Sequence, residues 1–195
     1  MYAADLYWNV IELRMETYSA RKYQETDDPG LLALLTEHMR HDDTWPSKGV
    51  RENGNLLAWL RENTTLGRWV GLDNLSTVLA YVGIKEVPAG RNAEIWTDDL
   101  ECEISDIAEI GKLVVHPNYR RKGISAMVTR YCVRQTVEMG LIPVASAYAS
   151  GKASIEMMTT IGWKIAGYGF GIESNCKIVL LTPPQQLIEA AYTNR

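Results

Sequence analysis

The sequence predicts a mixed α/β domain of the α+β kind, with helices flanking a central sheet. Three observations carry this. The second half alternates strand, helix, strand and helix before closing on two more strands. A hairpin signal precedes that half. No repeat, low-complexity tract or linker interrupts the 195 residues, so we expect a single domain over 1–195.

Taken in order, residues 1–65 are expected to be mainly helical. Residues 6–13 (LYWNVIEL) fit a strand or the start of a helix equally well. Asp27, Asp28 and Pro29 open a helix, with acids at its head and proline in the first turn. Leu31, Leu34, Leu35 and Met39 give it one apolar face as far as about His41. Asn53 or Asn55 opens a second helix with Leu56, Leu57 and Leu60 turned inward. Residues 68–72 and 76–87 are rich in β-branched and aromatic side chains, and Asp73-Asn74 between them marks a hairpin. Residues 88–105 carry Pro, Gly and several acids and read as a loop.

Ile107 to Val115 reads as a strand. Residues 122–139 place Ile124, Met127, Val128, Tyr131 and Cys132 at helical spacing, with Gly140 set to end the helix. Residues 141–148 form a strand and 152–161 a short helix, and 163–173 and 176–182 form two closing strands.

The bulk properties narrow the function. A hydrophobic fraction of 46% supports a core and 23% charged residues support a hydrated surface. No apolar run approaches the roughly 20 residues that cross a bilayer. The opening residues MYAADLYW are aromatic and acidic, unlike a secretion signal. Cys102, Cys132 and Cys176 have neither metal-ligand spacing nor disulfide pairing, so we expect free thiols, no metal and a cytoplasmic setting. A net charge of −4 argues against nucleic acid and suits a cationic small molecule or a basic protein tail.

The chemistry concentrates in residues 109–125 (EIGKLVVHPNYRRKGIS), where an apolar strand runs through a tight basic turn into a helix. Helix starts expose unpaired N–H groups and the positive end of the dipole, which together attract phosphate. Gly123 lets a ligand approach the backbone, and Arg120, Arg121 and Lys122 add positive charge. A diphosphate fits. The pattern matches neither a nucleotide triphosphate loop nor a dinucleotide fingerprint, and a plain basic helix cap remains the alternative.

Residues 113–125 (LVVHPNYRRKGIS) resemble the cofactor motif of the GNAT superfamily of acyl-CoA-dependent N-acyltransferases. Its Gln/Arg-x-x-Gly-x-Gly/Ala pattern is met by Arg120 to Ser125, with Ser125 at the last place. The resemblance implies a mixed, mostly antiparallel sheet with a splayed pair of parallel strands, and acetyl-CoA as co-substrate. It implies that Leu113, Val114 and Val115 meet the pantetheine arm and that Arg120, Arg121, Lys122, Gly123, Ile124 and Ser125 hold the diphosphate. Residues 150–163 (SGKASIEMMTTIGW) are similar to the next family element. There Ser154 aligns, Gly151 replaces the usual Asn and Met158 replaces the usual Tyr. The specific likeness covers about residues 107–173, the acyl-CoA-binding core, with 1–65 on the acceptor side.

The activity implied is acetyl transfer to a primary amine in a ternary complex. Glu109, where some family members carry a catalytic Glu, is the candidate base; the alternative is a rim carboxylate near Glu101, Glu103 and Asp106. With Met158 unable to donate a proton, Tyr148 is the candidate acid and Tyr168 a weaker one. His116, beside Pro117, reads as structural. Trp45, Trp59, Trp69 and Trp96 read as core or cleft wall. Two rival readings are a catalytically silent acyl-CoA-binding regulatory module and a toxin-like acyltransferase acting on aminoacyl-tRNA. The acceptor, an amine on a small molecule, peptide or protein, stays open, as do acyl-chain length and oligomeric state, homodimer included.

Overall fold

The computed structural model describes residues 17–42, 45–46, 48–171 and 176–194, so the ambiguous 6–13 segment lies outside the described residues. The strands are β1 (Tyr18–Lys22), β2 (Gly67–Asp73), β3 (Val78–Glu86), β4 (Ile107–Val115), β5 (Ile142–Tyr148), β6 (Lys164–Phe170) and β7 (Lys177–Thr182). The helices are α1 (Asp28–His41), α2 (Lys48–Asn53), α3 (Leu56–Glu62), α4 (Arg91–Leu100), α5 (Ile124–Glu138), α6 (Lys152–Thr160) and α7 (Gln185–Thr193). The strands form a mixed, mostly antiparallel sheet in the order β1-β2-β3-β4-β5-β7-β6, with β4 and β5 parallel. This is the predicted fold class. The chain divides into two compact units, described here in turn.

The first unit joins residues 17–85 to Gly111–Cys132. Pro29 stands in the first turn of α1, where its missing N–H costs nothing. Leu31, Leu34 and Leu35 are buried against Leu56, Leu60, Val70, Leu72, Tyr81 and Val114, each such burial contributing about 2 kcal/mol. Of the two asparagines proposed to open the next helix, Asn55 is the cap: its side chain accepts from the Ala58 N–H at 3.3 Å. Asn53 instead ends α2. The β2–β3 hairpin is present, closed by Asp73 Oδ1, which accepts from the N–H groups of Leu75 (2.9 Å) and Thr77 (2.8 Å). Gly71 lets the head of α5 lie on β2, since a Cβ there would meet Val128 Cγ1 at 2.8 Å. Ile124, Val128 and Cys132 are buried as expected, but Tyr131 is 45% exposed. The inward face continues through Val133 instead, one step around the helix, so Tyr131 is a surface residue that happens to fit the period.

The second unit joins Glu86–Ile110 to the residues from Val133 onward. Ile107 to Ile110 pair in parallel with Ile142 to Ala145, and β5 pairs antiparallel with β7 from Ala145 to Tyr148. The expected loop over 88–105 is incorrect, because residues 91–100 form α4. The breakers lie before the helix: Gly90 is its N-cap with φ 144°, and Glu101 ends it in the left-handed region with φ 51°. Between them Ala93 and Trp96 turn inward and join Val87, Ile107, Ile142, Val144, Ile178, Leu180 and Ala191 in one core. Two side-chain bonds fasten α4 to the closing strands, Thr182 Oγ1 to Asp99 Oδ2 at 2.9 Å and Asn92 Nδ2 to the Phe170 carbonyl at 3.0 Å.

Candidate functional site

β4 departs from regular strand geometry at Lys112, whose φ is 58°. A non-glycine residue rarely adopts this conformation, and it re-aims the side chains that follow. Lys112 Nζ sits 4.1 Å from the centre of the Trp59 ring on α3, while Val114 is buried in the core. Leu113 and Val115 are half-buried. Val114 can therefore offer a ligand only its backbone.

After β4, His116 Nδ1 accepts from the Asn118 N–H at 3.3 Å and its ring meets Tyr119 edge-on, a capping role for the short turn over Pro117–Tyr119. The chain then passes Arg121 at φ 63° and Gly123 at φ 81° before α5 begins. The Arg120 N–H donates to the Pro117 carbonyl at 3.3 Å and the Met127 N–H to the Gly123 carbonyl at 3.0 Å, so the Ile124, Ser125 and Ala126 amides at the head of α5 have no intrahelical acceptor. The three basic side chains are not a uniform cloud around these amides. Arg120 NH2 lies 3.1 Å from His38 Nδ1 on α1. Lys122 Nζ lies 4.6 Å from the centre of the Tyr119 ring. Arg121, Lys122 and Gly123 are exposed, Ile124 is buried and Ser125 is half-buried.

In the second unit, Glu109 is only 7% exposed and its Oε1 accepts from Ser146 Oγ at 2.6 Å. Glu109 stands opposite Val144 in the parallel register, so Glu109, Ser146 and Tyr148 share the face that carries Ile142 and Val144. Tyr148, half-buried against the apolar core, lies about 13 Å along the strand from the level of Glu109 at about 3.3 Å per residue. Tyr168 is 55% exposed beneath Lys177. Burial pushes the Cys132 thiol well above its ordinary value, which makes it a poor nucleophile at neutral pH.

A family model described as the acetyltransferase (GNAT) family matches residues 31–163. The chain belongs to the GNAT family. Many of the solved structures it resembles are GNAT N-acetyltransferases, at low identity. The Salmonella typhimurium protein yncA, solved with its cofactor acetyl-CoA, is 15% identical at a TM-score of 0.60, over 85% of this chain and 92% of that one. The ribosomal-protein-S18-alanine N-acetyltransferase of Escherichia coli is 13% identical at 0.58, over 86% and 93%. A spermidine N-acetyltransferase chimera from Vibrio cholerae and hSSAT is 14% identical at 0.60, over 92% and 100%. No curated protein matches the chain.

Relative to the GNAT pattern, Met158 is buried on the inner face of α6 and Ser154 is exposed in that helix's first turn. Trp69 and Trp96 are core, and Trp45 and Trp59 pack edge to face at 5.6 Å. Sequence reasoning missed Ser146 and His38. Ser146 left a faint signal, a polar residue at an inward position of an apolar strand; His38 left none. Among the described residues no helix is long and apolar enough to cross a membrane.

Proposed function

We propose that this GNAT chain moves an acetyl group from acetyl-CoA to a primary amine by direct transfer with both substrates bound. The observation that carries the reading is the turn from Arg120 to Ser125. Positive φ at Arg121 and Gly123 immediately before a fifteen-residue helix is the kind of backbone that gathers N–H groups into an anion-binding concavity. The residues suit acetyl-CoA: Gly123 presents no side chain to a diphosphate, and with Arg120 and Lys122 engaged elsewhere the amides supply the main contacts. Leu113 and Val115 extend the site along β4 through their backbone. Acetyl-CoA bound there supplies an activated thioester.

Glu109 takes the proton from the acceptor amine at a carboxylate oxygen, and Ser146 fixes that carboxylate's orientation. Tyr148 is the candidate donor to the leaving sulfur. A thiolate is also a good enough leaving group to depart without an acid, so a buried Met158 in place of a tyrosine does not stop the reaction. That same Met158 favours the second reading, an acyl-CoA-binding module without turnover.

Calorimetric titration of acetyl-CoA into the wild type and a Gly123→Glu variant tests the site. A panel of amines including spermidine and a peptide with N-terminal alanine then tests turnover. Binding lost in Gly123→Glu, with turnover of one amine, supports the enzyme. Binding without turnover supports the silent module, and no binding in the wild type overturns both.

A further inference from the structure

His38 is a histidine that the proposed chemistry does not use, yet it is 7% exposed and touches the cofactor turn. It lies in the last turn of α1, and its partner Arg120 is 82 residues away in sequence. A guanidinium has five donors and no acceptor. The 3.1 Å contact between Arg120 NH2 and His38 Nδ1 therefore requires a lone pair on Nδ1, which only the neutral ring with its hydrogen on Nε2 provides. Nε2 has no hydrogen-bond partner and faces Asp42 Oδ2 at 3.6 Å, while the Trp45 ring meets the imidazole edge-on at 5.4 Å.

We infer that His38 is a positioning residue: its neutral ring holds the Arg120 guanidinium and so fixes the backbone of the turn from Arg120 to Gly123. This rests on reading that turn as the acetyl-CoA site. Arg120 is the first residue of the turn that contains both positive-φ positions, so anchoring its side chain to α1 removes freedom from the amides that meet the ligand. Preorganisation of this kind lowers the ordering cost of binding.

The arrangement is sensitive to acid. Burial holds the imidazole below its ordinary pKa; Asp42 and the Val115 backbone carbonyl oppose that, and the Arg120 and Arg51 cations reinforce it. The bond is intact at and above the ordinary histidine pKa of about 6.5 and is lost as pH falls through the lower value in the folded protein. A protonated ring has donors at both nitrogens, so Arg120 loses its acceptor and two cations face each other. Acetyl-CoA affinity should fall with it.

The test is acetyl-CoA titration at several pH values from 7.5 to 5.5, with His38→Asn, His38→Leu and Arg120→Met beside the wild type. Asparagine can place an amide oxygen where Nδ1 stood and does not titrate. His38→Asn should bind as the wild type does at pH 7.5 and lose less affinity than the wild type on acidification, by less than about ten-fold at pH 5.5 because the wild-type ring is only partly protonated there. Titration of the CoA phosphates is common to all four proteins and cancels. His38→Leu, checked for folding by circular dichroism, should bind about ten-fold more weakly at pH 7.5. An acid loss in His38→Asn equal to the wild type's, or a His38→Leu variant that binds normally, overturns the inference. If no form binds acetyl-CoA at any pH, the site reading fails instead. NMR titration of the ligand-free protein then decides the coupling: the His38 pKa rises in Arg120→Met if the contact is real and stays put if it is not.

Discussion

The two ends of β4 differ in what they ask of the chain. Ile107 to Ile110 are all buried and pair in regular register with β5. That stretch holds a single ionisable group, Glu109, whose Oε1 accepts from Ser146. From Lys112 to Gly123 the backbone crosses into positive φ at three positions, and Lys112, Arg120 and Lys122 are drawn onto Trp59, His38 and Tyr119. In the function proposed above, the first stretch supplies a side chain and the second supplies main-chain donors. In such a protein, chemistry and ligand grip should fail separately.

Glu109→Gln should show the largest separation, with kcat falling about 10²- to 10⁴-fold while the acetyl-CoA Kd is unchanged. Steady-state rates on the amine found by screening, set against calorimetry, measure this. A matching loss in affinity would break the division. Gly123→Glu acts in the other compartment: a side chain at φ 81° and a negative charge should weaken acetyl-CoA binding by about 100-fold. Ser146→Ala should lower kcat about ten-fold by loosening the carboxylate, again with the cofactor Kd unmoved. The smallest effect belongs to Lys112. Replacement by Met removes the ring contact and should cost about 0.5–1 kcal/mol in urea unfolding. Replacement by Gly loses the same contact but relieves φ 58°, so it should fall within about 0.5 kcal/mol of the wild type.

What the sequence made legible tracks how locally each feature is encoded. The start of α1, the hairpin and the 120–125 turn each rest on neighbouring residues: acids before a proline, an Asp-Asn break, and a glycine in a basic run. Helix α4 was hidden because Pro88 and Gly90, which prepare its start, resemble the punctuation of a loop. The apolar positions Ala93, Trp96 and Leu100 were available to correct that reading. Helix α7 was likewise passed over, although Pro184 precedes Leu187 and Ala191 at helical spacing. The Ser146–Glu109 and His38–Arg120 contacts join residues 37 and 82 apart. No local pattern records such a pairing, because it is set by sheet register and helix packing.

The fastening of α4 carries a consequence for the order of assembly. Its side-chain partners, Phe170 and Thr182, emerge 78 and 83 residues after Asn92 and Asp99. A ten-residue helix is marginal alone in water. During synthesis, then, α4 lacks both fastenings until Thr182 has left the ribosome, and Trp96 meets Ile107, Ile142 and Val144 before Ile178, Leu180 and Ala191 exist to complete its core. Closing so distant a loop places this helix among the last elements to settle. A chain stopped short of β7 would retain the turn from Arg120 to Ser125 in its sequence yet leave Trp96 without Ile178, Leu180 and Ala191.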